Sequence, residues 1–467
     1  MKYSGNFSVI FFVMAAIATN FLGCKTPNTD TPVISIDRQP QSINVTEGSI
    51  TESLSVEASI TQGKSLKYQW YSNATASNKN GSLIQGATNA NFTIPNDLNT
   101  ATASHYYYYV VVSANGAESK TSDAAVVTLQ HSPGGSWALS VAPLSKEEKG
   151  VEIRICTVCG LTADSRPFEG FASASAVYAY LADSQPLAAP ANGADADNFI
   201  YLPVVINLGN SMLNSAAEDT PWRTLLDALE NADKFVALDL SASISPAEFN
   251  PGRDTANGKN KVVSMILPAT ASSIAGGTFS LPIFRYFTAL TEISAENVIT
   301  IGDSAFACTY GSTANTTDCN KVTSVSFPKA QTIGEGAFRG SQKLVNVYFP
   351  EVSNISLEAF YQCPALNSMV FPKAITIGNS AFLMSSLVSA EFPAATSIGN
   401  NVFMVCQQFK ELILGYNGVV TLGNSSVFTM THTNLVIKVP ANQVENYKSA
   451  GGNWDTSLTD RIVAIGQ

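Results

Sequence analysis

Between about residue 320 and residue 440 the chain repeats one phrase: Leu-x-x-Val-x-Phe-Pro, a few residues, then Ile-Gly-x-x-Ala-Phe. It runs from Val322 to Phe338, Leu344 to Phe360, Leu366 to Phe382 and Leu387 to Phe403, and in degraded form from Phe409 to Phe428. The Phe-Pro pairs begin at 327, 349, 371 and 392, steps of 22, 22 and 21. A fixed step in the twenties predicts a solenoid, in which each winding buries its apolar face only against its neighbours. Within one unit, Val347-Tyr348-Phe349 has the alternation of a very short strand. Pro350 lacks an amide donor and ends it. Ile355, Ala359 and Phe360 supply the opposite wall. A single unit buries too few side chains to offset the entropy of ordering its backbone, so the windings share one core and need covered ends.

These residues resemble the BspA-like leucine-rich repeat of surface proteins from oral bacteria and treponemes, whose pattern is roughly Cys-x-x-Leu-x-x-Ile-x-Ile-Pro…Ile-Gly-x-x-Ala-Phe. The resemblance covers residues 256–440. Its first unit is looser (Ile266-Leu267-Pro268 to Phe279), and its second, Leu290 to Phe306, lacks the Pro. Val439-Pro440, Val444, Tyr447, Trp454 and Ile462 resemble that family's C-terminal cap, placed at residues 441–467. Residues 171–255 are expected to form an α/β N-terminal cap. Ala172 to Leu181 and a segment opened by Thr220-Pro221-Trp222 read as helices, with Pro221 near the first helical position. Leu202 to Leu208 and Phe235 to Leu240 read as strands.

Lys2, the apolar run Val9 to Ile17 and Phe21-Leu22-Gly23-Cys24 have the layout of a secretion signal over residues 1–23. The run falls short of the roughly 20 residues a spanning helix needs. The Cys placement resembles a bacterial lipobox with Phe21 in the Leu slot, which implies acylation at Cys24 and a membrane anchor. Residues 24–33 are then a polar, Pro-containing tether. An ordinary secretory signal with Cys24 incidental is the alternative.

Residues 34–130 alternate as a β-sandwich does. Leu54, Val56 and Ala58 mark one strand, Leu66 to Tyr71 a second with Trp70 at its centre, and Phe92 to Ile94 a third. Tyr106 to Val112 precedes an Asn115-Gly116 turn, and Val126 to Leu129 closes the sheet. The segment resembles bacterial Ig-like modules of the Tyr-Gln-Trp-Tyr type, without Cys in the two strands that antibody domains bridge. Residues 131–170 contain Trp137 and Cys156-Thr-Val-Cys159-Gly160, and resemble a small Cys-x-x-Cys module of bacterial surface proteins. Two thiolates do not complete a zinc tetrahedron. Cys156 and Cys159 are therefore expected as a structural bridge or as two free thiols, with no metal and no cofactor.

Seven Cys and three His are present, the His far apart in sequence (His105, His131, His432). Histidine-based catalysis has almost no material here, and no Ser-His-Asp set, phosphate loop or flanked acid pair appears, so the chain reads as no enzyme. Net charge is −10, with 36 acids against 26 bases and no basic stripe, which argues against nucleic acid. Cys363 and Cys406, with Cys319, occupy one repeat slot and read as buried fillers. Cys308 and Cys319 flank a polar insert and form a candidate disulfide across it.

The fold class expected is mainly β and multi-domain: an Ig-like sandwich, then a leucine-rich solenoid with caps at both ends. If the strands face as the pattern suggests, Ser326, Tyr348, Val370, Glu391, Ile413 and Lys438 form an outward ladder, one per winding, beside a column of Ser324, Asn346, Ser368, Ser389 and Glu411. That ladder is the candidate partner-binding face. The resemblance implies a lipid-anchored cell-surface protein of the bacterial envelope, exposed at the outer membrane. Its expected role is adhesion to host matrix, host cells or other bacteria. Capture of a glycan or peptide for a neighbouring transporter or enzyme is the alternative.

Overall fold

The computed structural model describes residues 31–183, 192–209, 220–252, 257–308, 319–454 and 456–466. The signal-peptide segment and Cys24 lie outside the described residues, as does most of the tether. Chain contacts divide the molecule into two compact units. The first comprises the chain up to Gly135 together with Ile155–Ala163; the second comprises Ser136–Arg154 and Asp164–Gln467. Residues 131–170 are thus shared between the two units.

In the first unit, Lys67–Asn73 and His105–Ser113 form a long antiparallel pair with Trp70 opposite Val110. Ala125–Gln130 adds to His105–Ser113 antiparallel, and Ile43–Thr46 adds parallel to Ala125–Gln130. Ser82–Leu83 completes the far edge. Ile34–Arg38 pairs with Glu57–Ile60, and Ser53–Ser55 with Asn91–Thr93, both antiparallel. Alternate residues of these strands converge on one core: Leu54, Trp70, Phe92, Tyr108, Val110 and Val127 are buried. The Trp70 ring stacks on Phe92 at 5.4 Å, and Phe92 meets Tyr108 at 5.0 Å. The Trp70 indole N–H donates to Asn89 O at 2.9 Å, so this large side chain is buried without an unsatisfied donor.

A three-stranded sheet follows, in the order Ala138–Val141, Val151–Ile155, Thr162–Pro167. Beside it the Arg154 and Arg166 guanidiniums stack over the Trp137 ring at 4.7 and 4.2 Å. Helix Ala174–Ala182 is capped by the Ser173 side chain, which accepts from the Ala176 amide. Helix Pro221–Ala232 starts as its sequence dictates: Thr220 accepts from the Arg223 amide and Pro221 sits in the first turn. Its Trp222, Leu225, Leu226 and Leu229 face inward and are buried.

From there the chain winds as a β-solenoid of about nine turns. One side carries a six-stranded parallel sheet in the order Ile200–Pro203, Val236–Asp239, Val262–Ile266, Glu292–Ser294, Ser324–Ser326, Asn346–Tyr348. On the same side a five-stranded sheet runs Ser368–Val370, Ser389–Glu391, Glu411–Ile413, Val436–Val439, Ile462–Ala464. The other side is an eight-stranded parallel sheet of two-residue strands from Glu248–Phe249 to Thr421–Leu422. The segment before residue 256 thus adds its own strands, Ile200–Pro203 and Val236–Asp239, in line with those of the repeats.

Two columns of rings fill the core. Phe284, Phe306, Phe338, Phe360, Phe382, Phe403 and Phe428 stack in sequence with centroids 4.4 to 5.9 Å apart. Phe327, Phe349, Phe371 and Phe392 form the second, at 5.9 to 6.0 Å. Each stacked pair contributes about 0.5–1.5 kcal/mol beyond its burial. At the C-terminal end Trp454 meets Phe428 at 6.0 Å and Tyr447 edge-on at 5.0 Å. The Trp454 N–H donates to Val420 O, and the Tyr447 hydroxyl accepts from the Val420 amide.

Candidate functional site

Parallel pairing of successive windings carries each residue onto its counterpart one winding later, so a repeated outward position becomes a column. Ser326 is in register with Tyr348, Val370 with Glu391, Glu391 with Ile413, and Ile413 with Lys438. Tyr348 and Val370 are each 56% exposed, so this face presents two large apolar side chains to solvent. Ser324, Asn346, Ser368, Ser389 and Glu411 stand in the adjoining positions of the same strands. Lys438 closes this face with an ion pair to Glu411 at 2.7 Å.

The ladder is interrupted at one place: Asn346–Tyr348 ends the six-stranded sheet and Ser368–Val370 begins the five-stranded one. A groove of about 490 Å³ lies over this seam. Tyr348, Pro350, Val370 and Ile413 give it apolar walls, and Glu391 and Glu411 give it two carboxylates. Such a surface can hold an extended apolar or cationic segment.

Cys363 and Cys406 are buried in the core of the solenoid. Burial pushes the Cys363 and Cys406 thiols up to about 12, and each donates to a carbonyl of an earlier winding, Phe338 O at 3.2 Å and Phe382 O at 3.0 Å. Cys308 is also raised, first by a hydrogen bond with Cys319 and then by burial. The two cysteines that flank the polar insert therefore stand within a hydrogen bond of each other.

The first unit carries a second constellation. Glu47, His131, Cys156 and Cys159 place one donor atom each within 4.8 Å of all the others. Sequence spacing finds no metal set here, because the partners of Cys-x-x-Cys lie far from it along the chain. The fold brings those residues together. The Glu47 amide donates to Gln130 O, which extends the parallel pair by one residue and sets Glu47 beside His131. The Cys156 turn joins the same segment through the Cys156–Pro133 bridge and the Thr157 amide on Ser132 O. Gly48 has a φ of +76°, and a Cβ there would meet Val158 Cγ2 at 2.8 Å, so only glycine admits the Cys turn so closely.

Glu47 is fully buried. Its Oε2 accepts from the Thr100 amide and hydroxyl at 2.8 and 2.9 Å, while its Oε1 meets the Cys156 thiol and lies 3.2 Å from His131 Nδ1. Cys159 Sγ is 3.3 Å from the same nitrogen. Burial pushes the Glu47 carboxyl up, but the hydrogen bonds from Cys156, Thr100 and Cys159 outweigh it and hold it at about 2. No signal short of the tertiary fold marks Glu47 or Thr100.

Residues 315–435 match the model of the BspA type leucine rich repeat region, in six copies. No curated protein matches the chain. Repeats of this type form a non-enzymatic scaffold and generally mediate protein interactions.

Proposed function

We propose that the protein is a lipid-anchored surface protein of the bacterial envelope, exposed at the outer membrane, that binds a protein partner through the strand face of its solenoid. The partner is a host matrix protein, a host cell or another bacterial surface, and the activity is adhesion. The observation that carries this reading is the pair of in-register runs, Ser326–Tyr348 and Val370–Glu391–Ile413–Lys438, with two large apolar side chains held out in solvent beside the groove at the seam between them. In this reading the Trp70-centred β unit is an Ig-like spacer, and Tyr447 and Trp454 belong to a C-terminal cap. Acylation at Cys24 supplies the anchor, and palmitate labelling lost in Cys24→Ala tests it. The binding test is a pull-down of the ectodomain with extracellular-matrix proteins, repeated with Tyr348→Asp and Ile413→Asp. Binding is expected to fall at least tenfold in either variant. Unchanged binding moves the site off this face.

The groove volume supports a second reading, because it lies within the range of small-ligand sites, about 300–1,000 Å³. A captured peptide or glycan would then be the ligand. Glycan and peptide arrays probed with the same ectodomain separate the two.

A further inference from the structure

We propose that Glu47, His131, Cys156 and Cys159 bind one zinc ion in a tetrahedral site within the first compact unit. The four donor atoms come from three chain segments, with Glu47 84 residues from His131 and 109 from Cys156. They lie within 4.8 Å of one another. Bonds of about 2.0–2.3 Å in a tetrahedron set donors roughly 3.3–3.8 Å apart, so small adjustments around a central ion complete the geometry. Two thiolates, an imidazole and a carboxylate make a borderline-soft set that suits zinc and disfavours calcium or magnesium, which take oxygen donors.

The surroundings are those of a ligand site. Thr100 holds Glu47 Oε2 with two donors, which leaves Oε1 turned to the cluster, and its Oγ1 lies 2.7 Å from His131 Nδ1. Such outer contacts orient ligands and set affinity. The Val158 amide points at Cys156 Sγ at 3.4 Å, and Gly160 follows Cys159 at φ +74°, so the turn wraps its own sulfur. Glu47 and Cys156 are buried, whereas His131 and Cys159 are half-buried, which leaves a path for an ion from solvent. Binding takes one Zn²⁺ and releases the two thiol protons to solvent; no electron moves. The ion also withdraws both sulfurs from oxidation to a Cys156–Cys159 bridge.

The test titrates the reduced, metal-depleted full ectodomain with Co²⁺ and then Zn²⁺. One Co²⁺ per chain is expected, with a thiolate-to-cobalt charge-transfer band and tetrahedral d–d bands, all displaced by one equivalent of Zn²⁺. Cys156→Ser/Cys159→Ser should abolish the band. Thr100→Val, outside the ligand set, should weaken binding about 10–100-fold. His131→Asn, at a half-buried position, should alter the d–d bands while near-ultraviolet dichroism from Trp70 reports an intact fold. Absence of cobalt binding in the reduced chain overturns the proposal. So does a charge-transfer band that survives in the double Ser variant, or d–d bands identical in wild type and His131→Asn.

Discussion

The two compact units solve the same problem differently. The first holds its strands around one Trp-centred core and gathers a polar cluster from residues up to 112 positions apart. The second holds itself by repetition: each Phe stacks on the Phe of the next winding, and one apolar cluster runs from Phe168 to Ile462. In the first, a lost side chain is a local event in a closed core. In the second, every ring is shared, so damage passes to both neighbours.

The largest effect that could break this contrast comes from the ring columns. Phe360 is fully buried between Phe338 and Phe382. Phe360→Ala should cost about 3–5 kcal/mol. Native-state hydrogen exchange should show the loss spread over the windings on both sides, through residues 324–391. Trp70→Ala should cost a similar amount, with faster exchange confined to the strands around it, Ser53–Ser55, Asn91–Thr93 and His105–Ser113. If Phe360→Ala speeds exchange only in its own winding, the shared-core account of the solenoid fails.

The contrast also explains what the sequence discloses. Repetition is written along the chain, so the Phe-Pro spacing is enough to place Tyr348, Val370, Glu391 and Ile413 on one face. The cluster is not, because His131 and Cys156 meet only after the strands pair. Even within the solenoid some geometry is hidden. From Phe306 to Phe403 the slot before the Ala-Phe or Val-Phe pair has positive φ, yet it is filled by Ser304, Gly336, Glu358, Ser380 and Asn401, of which one is a glycine. By contrast, Gly378 of the Ile-Gly pair is legible for a different reason: a Cβ there would meet Ser356 C at 2.5 Å on the neighbouring winding. The break in the strand ladder beside Tyr348 has no signature in the repeat at all.

Alkaline pH sharpens the comparison next. Cys363 and Cys406 are held as thiols up to about 12, against an ordinary value of 9.0, because burial disfavours the thiolate. Above 9 the unfolded chain has lost these protons and the folded chain has kept them. Their contribution is therefore complete below about pH 9 and is lost as pH rises from 9 toward 12, with a slope of up to about 1.4 kcal/mol per pH unit for each thiol. Chemical denaturation between pH 8 and 11 should show solenoid stability falling, and Cys363→Ala should make the fall shallower. A slope unaffected by that change would place the alkaline sensitivity elsewhere.

At the C-terminal end the expected effect is smaller and tests a single hydrogen bond. The buried Tyr447 hydroxyl accepts from the Val420 amide at 3.1 Å. Tyr447→Phe keeps the ring and strands that amide without a partner, a loss of about 1–3 kcal/mol. Faster exchange of the Val420 amide than of the buried amides around Phe360 would locate the loss at this end of the array. Equal exchange at both would mean that water or a shifted carbonyl takes the hydroxyl's place.

The smallest expected effect on stability is the one that separates scaffold from function. Tyr348 is 56% exposed and stands on the strand face beside the groove. Its ring contributes little to the shared core, so Tyr348→Ser should change unfolding free energy by no more than about 0.5 kcal/mol. Loss of a central exposed aromatic nonetheless removes the kind of anchor on which protein interfaces depend, at a cost of about 2 kcal/mol or more in binding. Surface plasmon resonance of wild type and Tyr348→Ser against a captured partner, beside denaturation of both, gives the two numbers together. A large drop in affinity with stability unchanged would assign Tyr348 to recognition. A drop in stability matching the drop in affinity would mean that the tyrosine serves the solenoid itself, and that the difference between a periodic scaffold and a binding surface vanishes at this position.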